Sequence, residues 1–120
     1  MKRILALGAM VAALAGGAQA QTLYPGTTTD ASTTITAGGT YQSAFGSNTN
    51  RHGCFIQNPT TATEVLYVYF GPTASASNSH AVTLTAGAWV NCQGTGNTVL
   101  TDNIAVNAAT TGHAFVAYSQ

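Results

Sequence analysis

Beyond position 20, apolar and polar residues never settle into the three-and-four spacing of an amphipathic helix. Short runs of β-branched and aromatic residues alternate instead with clusters of Gly, Thr, Asn and Pro. This is the pattern of an all-β sandwich or barrel. It predicts eight strands, at 33–37, 40–45, 54–58, 65–70, 81–85, 88–93, 104–108 and 114–118. The run Val-Leu-Tyr-Val-Tyr-Phe at 65–70 is apolar on both faces, which predicts a central strand covered on both sides. Val82 and Leu84, like Ile104 and Val106, alternate with less apolar neighbours and predict strands with one inward face. The expected architecture is a two-sheet β-sandwich of about eight short antiparallel strands.

The chain also repeats itself. Ile35-Thr36-Ala37-Gly38 returns as Leu84-Thr85-Ala86-Gly87, and Cys54-Phe55-Ile56-Gln57-Asn58-Pro59-Thr60-Thr61 aligns with Ile104-Ala105-Val106-Asn107-Ala108-Ala109-Thr110-Thr111. Val65-Leu66-Tyr67-Val68 then matches Phe115-Val116-Ala117-Tyr118. Fixed-offset similarity of this kind signals a duplicated supersecondary unit. Each half would be a hairpin, a strand, a Thr-rich turn and a strand. The stretches 71–80 and 46–53 have no companion of equal length in the other half, so they are the expected specificity loops.

The first twenty residues read as an address. Lys2 and Arg3 precede an apolar stretch at 4–18, and Ala18-Gln19-Ala20 fits a small-x-small cleavage site. These are the parts of a secretory signal peptide. The stretch is shorter than the ~20 apolar residues of a membrane span, so no integral membrane segment is expected after cleavage. Position 21 is Gln rather than Cys, which gives no sign of lipoprotein processing. The domain division is a signal peptide at 1–20, a Thr-rich leader at 21–32 and a β-sandwich at 33–120.

Setting the signal aside sharpens the charge pattern. Only 5% of the 120 residues are charged, against roughly a quarter in ordinary domains. Beyond residue 20 the charged residues are Arg51, Asp30, Glu64 and Asp102, and there is no lysine. No basic stripe can neutralise phosphates, so nucleic acid is excluded as a partner. The hydrophobic share of 45% and the low net charge also argue against disorder. Edge strands are normally guarded by charge, lysine above all. A chain with so little charge to place there is expected to have its edges covered by self-assembly or by another surface protein.

Export directs the reading of the cysteines. Cys54 and Cys92 are the only two, and in an oxidising compartment one disulfide is the default. Two buried thiols, or a metal pair with His52, are the alternatives. No other constellation carries chemistry by its spacing. Asp30, Glu64 and Asp102 stand in turns or leader where solvated carboxylates are ordinary. His52, His80 and His113 lack the close spacing of zinc ligands. Gly46-Ser47 lacks the second glycine of a nucleophile elbow, and Ser75, Ser77 and Ser79 fall in a soft loop. Cys54 beside His52 is not a catalytic pair, because such partners meet in space rather than along a strand edge. Gly94-Thr95-Gly96 has no lysine or helix after it to form a phosphate loop. No metal and no cofactor are expected.

Aromatic residues are the remaining candidates. Trp89, Tyr67 and Tyr69, with Tyr41 and Phe45, could offer rings to the apolar faces of sugars. The plainer fate of strand aromatics is the sandwich core.

The segment from Gly53 to Gly71, an apolar strand ending in Gln57-Asn58-Pro59, a Thr/Ala turn and a strand ending in Phe70-Gly71, resembles small phage and prophage virion proteins. Leu84-Thr85-Ala86-Gly87 and Ala109-Thr110-Thr111-Gly112-His113-Ala114-Phe115 are similar to the downstream part of that pattern, so the resemblance spans about residues 51–118. It implies a structural or attachment role on a particle surface and brings no catalytic residues. A signal peptide departs from it, since particles assembled in the cytoplasm need no export. Taken together, the sequence predicts an exported, non-enzymatic structural or adhesive surface module, with the resemblance pointing to prophage origin. The alternative is a secreted carbohydrate-binding module.

Overall fold

A computed structural model describes residues 27–120; the expected signal peptide and residues 21–26 of the leader lie outside the described residues. Among the described residues nine strands follow in order: β1 (Thr29–Asp30), β2 (Thr33–Thr34), β3 (Gln42–Phe45), β4 (Cys54–Gln57), β5 (Leu66–Phe70), β6 (Val82–Leu84), β7 (Trp89–Asn91), β8 (Ile104–Asn107) and β9 (Ala114–Ser119). They form two antiparallel sheets. One runs β1-β9-β4-β7, with β2 also pairing β9; the other runs β3-β8-β5-β6. The fold is the two-sheet all-β sandwich that the alternation predicts.

Each of the eight predicted strands has a counterpart, generally shortened where turn residues intervene. Strand 33–37, for example, stops at Thr34 because the chain turns through Gly39, whose φ of 76° suits glycine. β1 lies within the leader, where its two residues pair with Tyr118 and Ser119 of β9.

The core fills the space between the sheets. Ile56, Phe115 and Ala117 from one sheet meet Leu66, Val68, Ile104 and Val106 from the other, all buried, and Ile35 closes one end. The expectation for 65–70 needs revision. β5 is internal to its sheet, but Tyr67 and Tyr69 point outward and are only half-buried. The strand buried along its whole length is β8. Its outward residues, Ala105 and Asn107, are small enough to lie beneath their neighbours.

The two halves are related in three dimensions as well as in letters. Exchanging β2, β3, β4 and β5 for β6, β7, β8 and β9 turns one sheet order into the other. The central ladders correspond pair by pair: Phe55 opposite Tyr118 and Ile56 opposite Ala117 in one sheet, Ala105 opposite Tyr69 and Val106 opposite Val68 in the other. The last strands therefore match one residue away from the alignment suggested by the letters. Val68 corresponds to Ala117, not Tyr118. Strand alternation is the cause, since a one-residue slip would place an inward side chain against an outward one.

Candidate functional site

The outer face of the β1-β9-β4-β7 sheet carries an aromatic strip. Ile56, Ala117 and Val90 turn inward, so alternation sends Phe55, Gln57, Tyr118, Trp89 and Asn91 outward. Register then builds the face in rows: Asp30, Tyr118, Phe55 and Asn91 lie side by side, and Val116, Gln57 and Trp89 form the next row. Trp89 lies diagonally across from Phe55, with ring centroids 5.7 Å apart and planes tilted by 31°. Trp89 is 57% exposed and Tyr118 39%. Asp30, whose carboxyl is held below its usual range by hydrogen bonds from Ser32, borders the strip on one side. Asn91 borders it on the other.

Strand order separates the three residues expected to form one platform. Trp89 stands on β7, but Tyr67 and Tyr69 stand on β5 in the opposite sheet. Trp89's companions are Phe55 and Tyr118, which the sequence reading did not single out. The signal lay in the alternation at 54–57 and 114–119, where buried Ile56 and Ala117 imply outward neighbours. Phe45 faces the core.

The outer face of the second sheet is roofed. Residues 71–81 cross it through two single 3-10 turns, Thr73–Ser75 and Asn78–His80. Tyr41 Oη donates to Asn78 Oδ1 at 2.9 Å, Tyr69 Oη and Ser75 Oγ lie 3.3 Å apart, and Asn103 Nδ2 donates to Gly71 O at 3.0 Å. Burial pushes the Tyr41 hydroxyl's pKa up, with Tyr67 adding to the shift. A groove of about 520 Å³ remains beside the roof, bordered by Tyr41, Tyr67, Glu64, Asn78 and Asn107.

A polar cluster sits at the end of this groove. Asn58, fully buried, donates from Nδ2 to Glu64 O and Leu84 O, both at 2.9 Å, which leaves Oδ1 facing His113 Nε2 at 2.9 Å. His113 Nδ1 is 3.1 Å from Glu64 Oε1, which also accepts from Thr110 N and from Thr110 Oγ1. The Thr110 hydroxyl is the main cause of a Glu64 pKa below the ordinary 4.5. Both ring nitrogens of His113 thus face acceptors. The cluster pins the 58–64 turn to the 110–113 turn.

Cys54 and Cys92 form a disulfide with Cα atoms 5.0 Å apart, as the exported reading expects. The remaining candidates do not converge. His52 borders a shallow cleft of about 290 Å³ beside the disulfide, together with Gln93, Tyr118 and Gln120. His80 closes a 3-10 turn with Nδ1 3.2 Å from Ser77 Oγ. Asp102 lends its backbone carbonyl to Arg51. Among the described residues no three His, Cys, Asp or Glu side chains gather in a way that could hold a metal ion. Nor is any helix among them long and apolar enough to cross a membrane. Comparison of the chain with family models, curated proteins and solved structures gives no match in any of the three.

Proposed function

We propose that the protein is an exported, non-enzymatic surface module that adheres to polysaccharide through the strip Trp89, Phe55 and Tyr118. The observation that carries this reading is a tryptophan left 57% exposed on a strand, stacked on Phe55, and continued across the sheet by Tyr118. A contiguous aromatic patch on a sheet face marks an interaction site. Its shape narrows the partner. Flat rings suit the C–H faces of pyranose rings, while Asp30, Gln57 and Asn91 along the rows can exchange hydrogen bonds with sugar hydroxyls. Scarcity of charge fits a neutral, hydroxyl-rich surface, and the disulfide fits an oxidising compartment.

Retention on insoluble glycans tests the proposal. The purified protein should be retained on at least one of cellulose, chitin, xylan or a cell-wall preparation. Trp89→Ala should weaken that retention about thirtyfold, the ~2 kcal/mol of a hot-spot aromatic, and cost no more than about 1.5 kcal/mol of folding stability, the worth of its ring contact with Phe55. Absence of retention on every glycan, or unchanged retention by Trp89→Ala, would overturn it.

A second reading, assembly of copies through sheet edges, is favoured by a separate observation. The edge strands β7, β3 and β6 carry no charged residue and the remaining edge, β1, carries only Asp30, so the usual guard against edge pairing is largely missing. Sedimentation over a range of concentrations decides it: a strictly monomeric protein removes this reading and leaves glycan adhesion standing. No comparison links the chain to virion proteins, and the adhesive role rests on the aromatic face alone.

A further inference from the structure

The open strip has a counterpart on the other sheet. By register, Tyr69, Tyr67 and Asn107 occupy the places of Tyr118, Val116 and Gln57. Tyr41, one residue before the Gln42–Val106 pair, takes the place of Trp89 beside the Ile56–Val90 pair. Both faces therefore carry aromatics beside a side-chain amide. What differs is the cover. Segment 71–81 converts the flat face into a groove of about 520 Å³, within the roughly 300–1,000 Å³ of small-molecule sites.

Asn107 shows that the groove's hydrogen bonding is incomplete. It is 4% exposed, and its Oδ1 is buried without a donor. Buried acceptors are nearly always partnered, and an exception calls for a specific explanation. Its Nδ2 reaches Asn78 Oδ1 only at 3.4 Å, beyond the usual ~2.7–3.2 Å. The roof's contact with Asn107 is thus long, although Asn78 Oδ1 also accepts from Tyr41 Oη at 2.9 Å.

We infer that this groove is a second saccharide site, which takes one neutral sugar residue while the open strip takes the face of a chain. A ring hydroxyl of the sugar donates to Asn107 Oδ1 and, as Asn78 shifts slightly outward, a second hydroxyl donates to Asn78 Oδ1 in place of the long contact from Asn107 Nδ2, while the sugar's C–H face lies against Tyr67 and Tyr41. A neutral ligand fits better than an ammonium group. The one carboxylate in the wall, Glu64, has its Oε1 engaged by Thr110 and His113, which leaves it less available to a cation. This site stands apart from the open strip and holds or fails independently of it.

The test is a titration of the purified, ¹⁵N-labelled protein with the methyl glycosides of glucose, galactose, mannose and N-acetylglucosamine, with choline as the cationic probe. At least one glycoside should move the side-chain amide signals of Asn78 and Asn107 saturably. The same shifts should survive in Trp89→Ala. Tyr67→Ala and Asn78→Ala should each weaken the binding by about tenfold, or ~1.4 kcal/mol. Asn78 lies on an exposed turn, so its variant remains informative should Tyr67→Ala fold poorly. The inference is overturned if no glycoside moves these signals, if the shifts vanish in Trp89→Ala, if Asn78→Ala binds as wild type does, or if choline moves them where the glycosides do not.

Discussion

Arg51 is the clearest case of one side chain holding distant segments together. Its Nη1 donates to Leu100 O at 3.0 Å and Asp102 O at 2.8 Å, its Nη2 donates to Gly46 O at 2.6 Å, and its guanidinium lies 5.6 Å from the centre of the Phe45 ring. The residue is 5% exposed. Burial lowers its pKa, but from so high a starting point that the group stays charged. Truncation would remove three part-buried hydrogen bonds from a charged donor, a kind worth about 1.5–3 kcal/mol each. Arg51→Ala is therefore expected to lose about 3 kcal/mol or more of stability in urea unfolding, and Arg51→Lys to recover only part of it, because an ammonium lacks the planar fork. Equal stability of Arg51→Ala and wild type would show that the 46–53 and 100–103 stretches do not depend on this residue. Glu64 yields a prediction in pH. Its folded pKa is lowered below 4.5, so its stabilising effect is complete above that value and is lost as pH falls through the folded pKa. Glu64→Gln should be less stable than wild type at neutral pH, and the gap should close on acidification below pH 4.5. A gap constant from neutral pH down to pH 3 would contradict this linkage. Neither role is legible from the letters alone. A lone arginine in a polar loop and a glutamate after a turn look like ordinary solvated residues until Leu100 and Asp102, or Thr110 and His113, arrive from forty or more positions away.

At the scale of elements, the strands were readable because alternation and turn glycines act locally. The strands' assignment to sheets was not. Trp89 and Tyr67 sit in equally aromatic strands, and only long-range pairing sends one to each face of the sandwich. β1 escaped notice for a related reason: Thr29 and Asp30 are both exposed, and backbone pairing to β9, rather than any apolar pattern, makes them a strand. The roof over the second sheet was visible only as an unmatched loop, since its 3-10 turns rest on local Ser and Asn hydrogen bonds. The disulfide was the most legible tertiary feature, and its place explains its expected strength. Cys54 opens β4 and Cys92 follows β7, its neighbour in the sheet, so the bond fastens an edge strand across a sequence separation of 38. The chain-entropy account gives about 4 kcal/mol for such a loop. The Cys54→Ser/Cys92→Ser variant should lose roughly this amount in urea unfolding relative to the oxidised protein, and reduced wild type should behave like the variant. Loss of well under about 1 kcal/mol would mean that the β4–β7 ladder already restricts the unfolded chain.

The whole molecule is two similar halves that do not form two separate bodies. Each sheet is assembled from both: β1, β2 and β4 join β7 and β9 in one, and β3 and β5 join β6 and β8 in the other. The two central ladders, β4 with β9 and β5 with β8, both cross between halves. The core between the sheets is consequently built from both halves, and a half alone would expose Ile56, Leu66 and Val68 or Ile104, Val106 and Phe115. Short strands whose every ladder partner belongs to the other half cannot offset the entropy of ordering them. Fragments 21–80 and 81–120, cut within the roof and made separately, should therefore be unfolded by circular dichroism. Mixing them under oxidising conditions should restore the β-sheet signal and form the Cys54–Cys92 bond between the pieces. A half that folds alone, with a cooperative thermal transition, would mean that the repeat is a self-sufficient unit. The same interleaving places the open aromatic strip on one face and the roofed groove on the other, since exchanging the halves exchanges the sheets. Recovery of both binding faces should then require both fragments, and neither fragment should be retained on glycan when added by itself.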